Sequence, residues 1–384
     1  MTVQKALRRL HNGQYATLVI QALVAHLYSS YPMNSRSSAI FTALAAAALF
    51  GAATPLAKAL LGSMSPFLVA GLFYLGSGIG LGIGIIARRL RTSAKENNRH
   101  GISRAELPWL LGAIAAGGVA GPALLMLGLS STPAATSSLL LNLEGVLTAV
   151  IAWVVFRENV DLQVFLGMVA IVAGGVMLSW QPAGAGIPGG ALLIVAACLC
   201  WAIDNNLTRK VSTNDAMVIA CLKGLIAGPV NLAIAFATGA SLPAAGMVGA
   251  AMTTGLAGYG VSLVLFVIAL RHLGTARTGA YFSVAPLFGV ALSLVIWPEL
   301  PHLSFWIAAA LMTVGIWLHI RERHEHQHTH EWLEHTHRHR HDEHHQHEHD
   351  FAYAGDEPHT HPHVHLPITH SHAHFPDVHH RHSH

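Results

Sequence analysis

Glu144 is a carboxylate placed near the middle of an apolar stretch, Ala134 to Glu158, beside Gly145 and close to Asn142. The stretch is long enough to cross a bilayer, which takes ~20 residues for ~30 Å of hydrocarbon. A charge at that depth costs ~2.5–3.5 kcal/mol, so such residues face a bundle interior or a wet cavity. Two chemistries fit: a carboxylate that couples protons or binds a cation, or a protonated, hydrogen-bonded structural acid. A second polar set closes a later apolar run in WAIDNNLTRK, with Asp204, Asn205 and Asn206 in sequence. Lys223 lies roughly two helical turns inside the following run, which starts on the membrane face where Asp204's run ends. Asp204 and Lys223 are therefore expected at similar depth, paired as a fixed clasp or as a substrate gate. Asn142 and Asn231 serve either a cavity wall or interhelical hydrogen bonds, and Tyr259 and Tyr281 are read as core.

A third set lies at the C-terminus. Of 29 histidines, all but six fall between His324 and His384, in units such as HTHRHRHDEHH and PHTHPHVHLPITHSHAH. The candidate ligands are His326, His328, His330, His337, His339, His341, His359, His361, His363, His365, His370, His372 and His374. Alternating imidazoles with interspersed Asp and Glu suit Zn, Ni, Co or Cu, and near pH 7 imidazole is largely neutral and able to ligate. A solvated tail without a physiological metal is the alternative. The segment 324–384 has no apolar period and is expected to be disordered.

The elements that hold these residues repeat. A shift of 141 positions lays Thr275–Glu299 on the Glu144 stretch without a gap and carries Glu158 onto Glu299. With 52% hydrophobic and 11% charged residues in 384, the chain is not a soluble domain. Ten apolar spans follow: Ala39–Leu61, Pro66–Ala87, Leu107–Leu129 with Pro122 as a kink, the Glu144 stretch, Val164–Trp180, Gly190–Leu207, Ala216–Thr238, Met247–Leu270, Thr275–Trp297 and Phe305–Ile320. Gly76, Gly80 and Gly84 mark a close-approach face on the second. Five spans per half is an odd number, so two such halves insert with opposite topology. The domains read as a 1–38 extension, whose true start is either Met1 or Met33, a 39–181 repeat, a 188–320 repeat and the tail.

Charge sets the orientation. The net +3 is small, but Arg36, the basic loop from Arg88 to Arg104, Arg157, Arg209, Lys210, Arg271, Arg277, Arg321 and Arg323 all fall on one side if both termini are cytoplasmic. Lys58, on the other side, is expected to snorkel. Cys198, Cys200 and Cys221 sit within apolar runs and read as packing residues, not a disulfide framework.

LFGAATPLAK at Leu49–Lys58, Glu158 and Glu299 at the ends of spans four and nine, and Pro286 resemble the EamA-type transporters of the drug/metabolite transporter superfamily. The resemblance covers Ala39 to Ile320. It implies an all-α integral membrane protein of ten transmembrane helices as two inverted five-helix repeats, and small-molecule transport by alternating access. The chain departs from the family where Glu144-Gly145 matches Pro286, a position at which span four often carries proline too.

Enzymatic chemistry has little support: no Gly-Lys-Ser/Thr phosphate loop and no nucleophile with a placed base are present. Nothing points to nucleic acid. The leading expectation is an inner-membrane, ion-coupled exporter of a small organic metabolite with a metal-binding cytoplasmic tail and no required cofactor. A divalent-metal (Ni/Co/Zn) carrier and a membrane-anchored metal sensor or store are the alternatives. The expected partners are lipid, the solute and metal ions at the tail, with a homodimer left open.

Overall fold

The computed structural model describes residues 36–91, 102–156, 162–180, 187–211, 214–273, 278 and 281–320, and four strand segments beyond them. Readings that rest on residues 1–35, 92–101, Arg157, Glu158, Arg277, Arg321, Arg323, His330, His341 and His374 lie outside the described residues. The chain divides into two units, Met1–Arg321 and Glu322–His384.

The first unit is helical throughout its described length. It runs α1 Arg36–Leu60, α2 Pro66–Arg91, α3 Leu107–Ala113, a π-helical stretch π1 Ile114–Ala120 and α4 Gly121–Ser131. It continues with α5 Ala134–Leu140, α6 Leu143–Phe156, α7 Leu162–Ser179, α8 Gly189–Thr208 and α9 Ala216–Ala237. The last elements are α10 Ala245–Gly255, a second π-helical stretch π2 Leu256–Val261, α11 Ser262–Leu273, α12 Ala285–Ile296 and α13 Leu303–Ile320. Among the described residues, eight helices are long and apolar enough to cross a membrane, and two shorter apolar helices, Ala285–Ile296 and Leu303–Leu318, follow at the expected ninth and tenth positions.

Both sides of these helices are apolar, as a lipid solvent requires. On α7 the exposed residues are Phe165, Leu166, Val169, Val172 and Val176, while Gly167, Met168, Ile171, Gly174 and Gly175 are buried. The buried side packs on α13, where Gly174 lies against Met312. Across the two halves, α2 packs on α9 in the same way, with Gly78 and Gly224 in backbone contact. The close-approach face expected on α2 holds in part. Gly76 meets Met252 and Gly80 meets Leu256, whereas Gly84 opens on empty space.

Span three is interrupted at the kink expected at Pro122, and span four, read as continuous, is interrupted as well. Pro122 has no N–H to give to the carbonyl of Gly118 four residues back, and the helix passes through π1 just before it. Asn231 of α9 donates its side-chain N–H to that carbonyl at 3.2 Å. Tyr74 Oη and Trp201 Nε1 donate to the neighbouring Gly117 carbonyl at 2.7 and 3.0 Å. Freed backbone groups at this depth thus have partners, as they must without water.

The second interruption splits span four between α5 and α6 at Leu141 and Asn142. Asn142 Nδ2 donates to the Leu139 carbonyl at 2.9 Å, the local competition by which short polar side chains unwind a helix. The Asn142 and Glu144 N–H groups reach back only three residues, to Leu139 and Leu141, each at 3.1 Å. The Cys198 thiol contacts the Leu140 carbonyl at 3.7 Å. Span nine is interrupted at the matching place, with turn residues Ser283 and Val284 just before α12.

At the helix ends, Lys58 donates to the Leu129 carbonyl and, at 3.2 Å, to that of Ser130, so it caps α4 instead of reaching outward. Asp215 caps α9 through the Met217 N–H at 3.0 Å and pairs with Arg88 at 2.8 Å. Glu106 accepts from the Ser103 N–H and from Asn214; the Ser103 bonds foremost hold its carboxyl below the usual range.

In the second unit four strand segments are described. Strands β1 Glu325–Thr329 and β4 Thr369–Ala373 pair antiparallel, as do β2 Leu333–His339 and β3 His359–His365. The physical reason lies in the His-x-His alternation, which has the period of a strand, and strand pairing draws on backbone groups that need no apolar core.

Candidate transport site

The break in span four decides where Glu144 sits. The residue is not mid-helix but in the first turn of α6, where unpaired N–H groups and the helix dipole favour negative charge. Its Oε1 accepts from Asn205 Nδ2 of α8 at 3.0 Å, and the same amide reaches Thr148 Oγ1, one turn along α6, at 3.3 Å. Among the described residues Glu144 has no ion-pair partner. Asn205 is exposed, Glu144 and Thr148 are half-buried, and Gly145 is exposed with nothing within 4 Å of where a Cβ would stand. Open space therefore adjoins Gly145, the next residue along the chain from Glu144.

A second cluster lies one residue along α8. Lys223 Nζ contacts both oxygens of Asp204 at 2.5 and 2.7 Å, and Thr208 donates to Asp204 at 2.8 Å. Both charges are largely buried, so the pair expected from the sequence is formed. Asp204 also rests on Gly117 of π1 so closely that any Cβ there would strike its carboxylate. Asn206 bonds the carbonyls of Thr148 and Ala202 at 3.4 and 2.8 Å and ties α8 to α6. Asn142 is set apart from both clusters: it bonds Leu139 and, at 3.9 Å, the Met312 sulfur.

The sequence reading omitted Thr148, Thr208, Gly117 and Trp201. Thr148 and Thr208 each stand four residues after a charged residue, Glu144 and Asp204, and that spacing was the available signal. The roles of Gly117 and Trp201 depend on π1 and had no sequence signal.

The two halves of span four are packed differently. α5 packs closely on α12 and α1, where the Gly51 and Gly289 backbones meet and the Ser138 side chain lies against Gly289. α6 packs chiefly on α8 and α7. The α5 half of span four is thus tightly packed at Gly289, while Gly145 on the α6 half has nothing beside it.

Among known proteins, the chain matches the model of the EamA-like transporter family twice, over residues 37–180 and 188–321. An uncharacterised transporter of Methanothermobacter thermautotrophicus is 30% identical over 290 residues, which are 72% of this chain and 84% of that protein. The uncharacterised transporter YyaM of Bacillus subtilis is 24% identical over 209 residues, 50% of this chain and 67% of the relative. A solved crystal structure that is 21% identical covers 74% of this chain and 96% of its own with a TM-score of 0.53, a likeness of fold. The chain is a member of the EamA-like transporter family, a multi-pass membrane protein built from two copies of the family's unit.

Proposed function

We propose that the protein is a secondary carrier that exports a small organic solute in exchange for protons, with Glu144 as the coupling carboxylate. The observation that carries this reading is a carboxylate in the first turn of a broken transmembrane helix, beside the open Gly145 and, among the described residues, without an ion-pair partner. Asn205 orients it, and Asp204 with Lys223 clasps α8 to α9. Discontinuous helices at the bilayer midplane are where carriers bind their cargo. The matching interruptions of spans four and nine, and the packing of α2 on α9 and α7 on α13, support two inverted five-helix repeats. The basic residues place both termini in the cytoplasm of an inner membrane, so the tightly packed α5 half faces outward and the α6 half inward.

Glu144→Gln keeps the side chain's shape and removes its proton. In proteoliposomes with an imposed pH gradient, wild-type solute flux should follow the gradient, and the variant should fold but lose that response. A full gradient response in Glu144→Gln would end the coupling role.

A divalent-metal carrier is less well supported, because among the described residues no three His, Cys, Asp or Glu side chains gather as a metal site. The tail is given the metal role instead: its His-x-His strands bind Zn, Ni, Co or Cu and tune the carrier. Deletion of Glu325–His384 should remove most metal binding, leave the helical unit folded and preserve solute flux. Binding should weaken below about pH 6, where imidazole holds its proton. Loss of flux from a folded truncated carrier would put the tail on the transport route.

A further inference from the structure

We infer that the groove between α3 and α9 is a binding site for an anionic phospholipid, with Arg104 on the headgroup and an acyl chain between the helices. Neither Glu144 nor its partners line it, so the site does not depend on which solute is carried. A cavity of about 250 Å³ joins the two halves, since Ser103 and Arg104 line it together with apolar side chains from both helices. Leu107, Leu110, Leu111 and Ile114 stand at i, i+3, i+4 and i+7, one face of α3 and the start of π1. That face descends ~10 Å from the level of Leu107. Leu222 and Ile226, one turn apart on α9, form the opposite wall.

The chemistry of the walls selects the occupant. Leu107, Leu111 and Ile226 are exposed and lie within helices long and apolar enough to cross a membrane, so the rim of the groove meets hydrocarbon. A soluble ligand would have to leave water for that surface, and a wholly apolar one would leave Arg104 unanswered. Arg104 is exposed and, among the described residues, has no ion-pair partner. The neighbouring carboxylate, Glu106, accepts instead from the Ser103 N–H and from Asn214 at 2.8 and 3.0 Å. Trp109, also exposed, marks the headgroup level, where amphipathic rings collect. Lys210 Nζ stands 5.9 Å from the centre of its ring and adds positive charge at this end of α3. A molecule that is anionic at one end and hydrocarbon along the rest answers both demands. Basic pockets between transmembrane helices recognise such headgroups.

The test uses the full chain, purified in detergent and exposed to equimolar phosphatidylglycerol and phosphatidylcholine with identical acyl chains. Native mass spectrometry counts the lipids retained, and size exclusion checks the fold of each variant. Wild type should prefer phosphatidylglycerol by roughly fivefold or more, the value of one basic contact near the surface. Arg104→Gln should lose roughly fivefold of that preference and keep its phosphatidylcholine, whereas Arg104→Lys should retain most of the preference. Leu111→Trp, which fills the groove from an exposed position, should lower the retention of both lipids. Glycerol phosphate at millimolar concentration should not displace them. Equal retention of the two lipids by wild type, an unchanged preference in Arg104→Gln, or undiminished retention in Leu111→Trp overturns the inference. Displacement by glycerol phosphate overturns it as well, and makes the groove a site for a free anion.

Discussion

Lys223→Met should yield little folded protein, because it leaves the Asp204 carboxylate buried against Gly117 with, among the described residues, only Thr208 bonded to it. Removing one partner of a buried pair costs ~3–5 kcal/mol, while replacing both by apolar groups of similar volume is often neutral. The double variant Asp204→Leu with Lys223→Met should therefore recover much of the lost stability. Fluorescence-detected size exclusion after heating measures both. The double variant also separates the two roles left open by the sequence. Transport retained in it marks the pair as a clasp between α8 and α9, which is the role assigned above. Good folding with abolished transport would make the pair a gate.

Gly289→Leu should fold and insert but stop transport. Gly289 sits on Ser138 of α5 and on the Gly51 carbonyl of α1, where even a Cβ lies under 3 Å from both. The packed arrangement shown here cannot accept a leucine without separating α5, α12 and α1. Overpacking of this kind costs ~1–3 kcal/mol, and a bias of that size shifts a two-state carrier by roughly 5–150-fold. The residue is remote in sequence from Glu144 and Asn205, so solute affinity should change far less than turnover. Counterflow rates set against equilibrium binding check this. Wild-type turnover in Gly289→Leu would show that closing this contact is not a required step of transport.

The sequence made the helical membrane unit and its internal repetition legible, because these depend on hydropathy and spacing. The pairing of Asp204 with Lys223 was also accessible, since two antiparallel spans fix the relative depth of their ends. The break at Leu141 and Asn142 was hidden. An asparagine and a glycine flanking a glutamate are tolerated within a helix, and only the Leu139 carbonyl and the neighbouring Cys198 show which local bonds win. Pro122 announced a kink but not its form. The π-helical geometry of π1 and the use of its carbonyls by Tyr74, Trp201 and Asn231 arise from three other spans.

The carrier reading turns on water reaching Glu144 from the α6 end, and Gly145 is the place to test it. A side chain fits there without contact, so Gly145→Cys should leave the fold intact. The variant belongs in a background where Cys198, Cys200 and Cys221 are replaced by Ala or Ser. A membrane-impermeant maleimide is then applied to right-side-out and to inside-out vesicles. The expected result is fast labelling from the cytoplasmic side and slow labelling from outside. Absence of labelling from both sides would place Gly145 and Glu144 against lipid, and would contradict a wet, carboxylate-lined transport cavity.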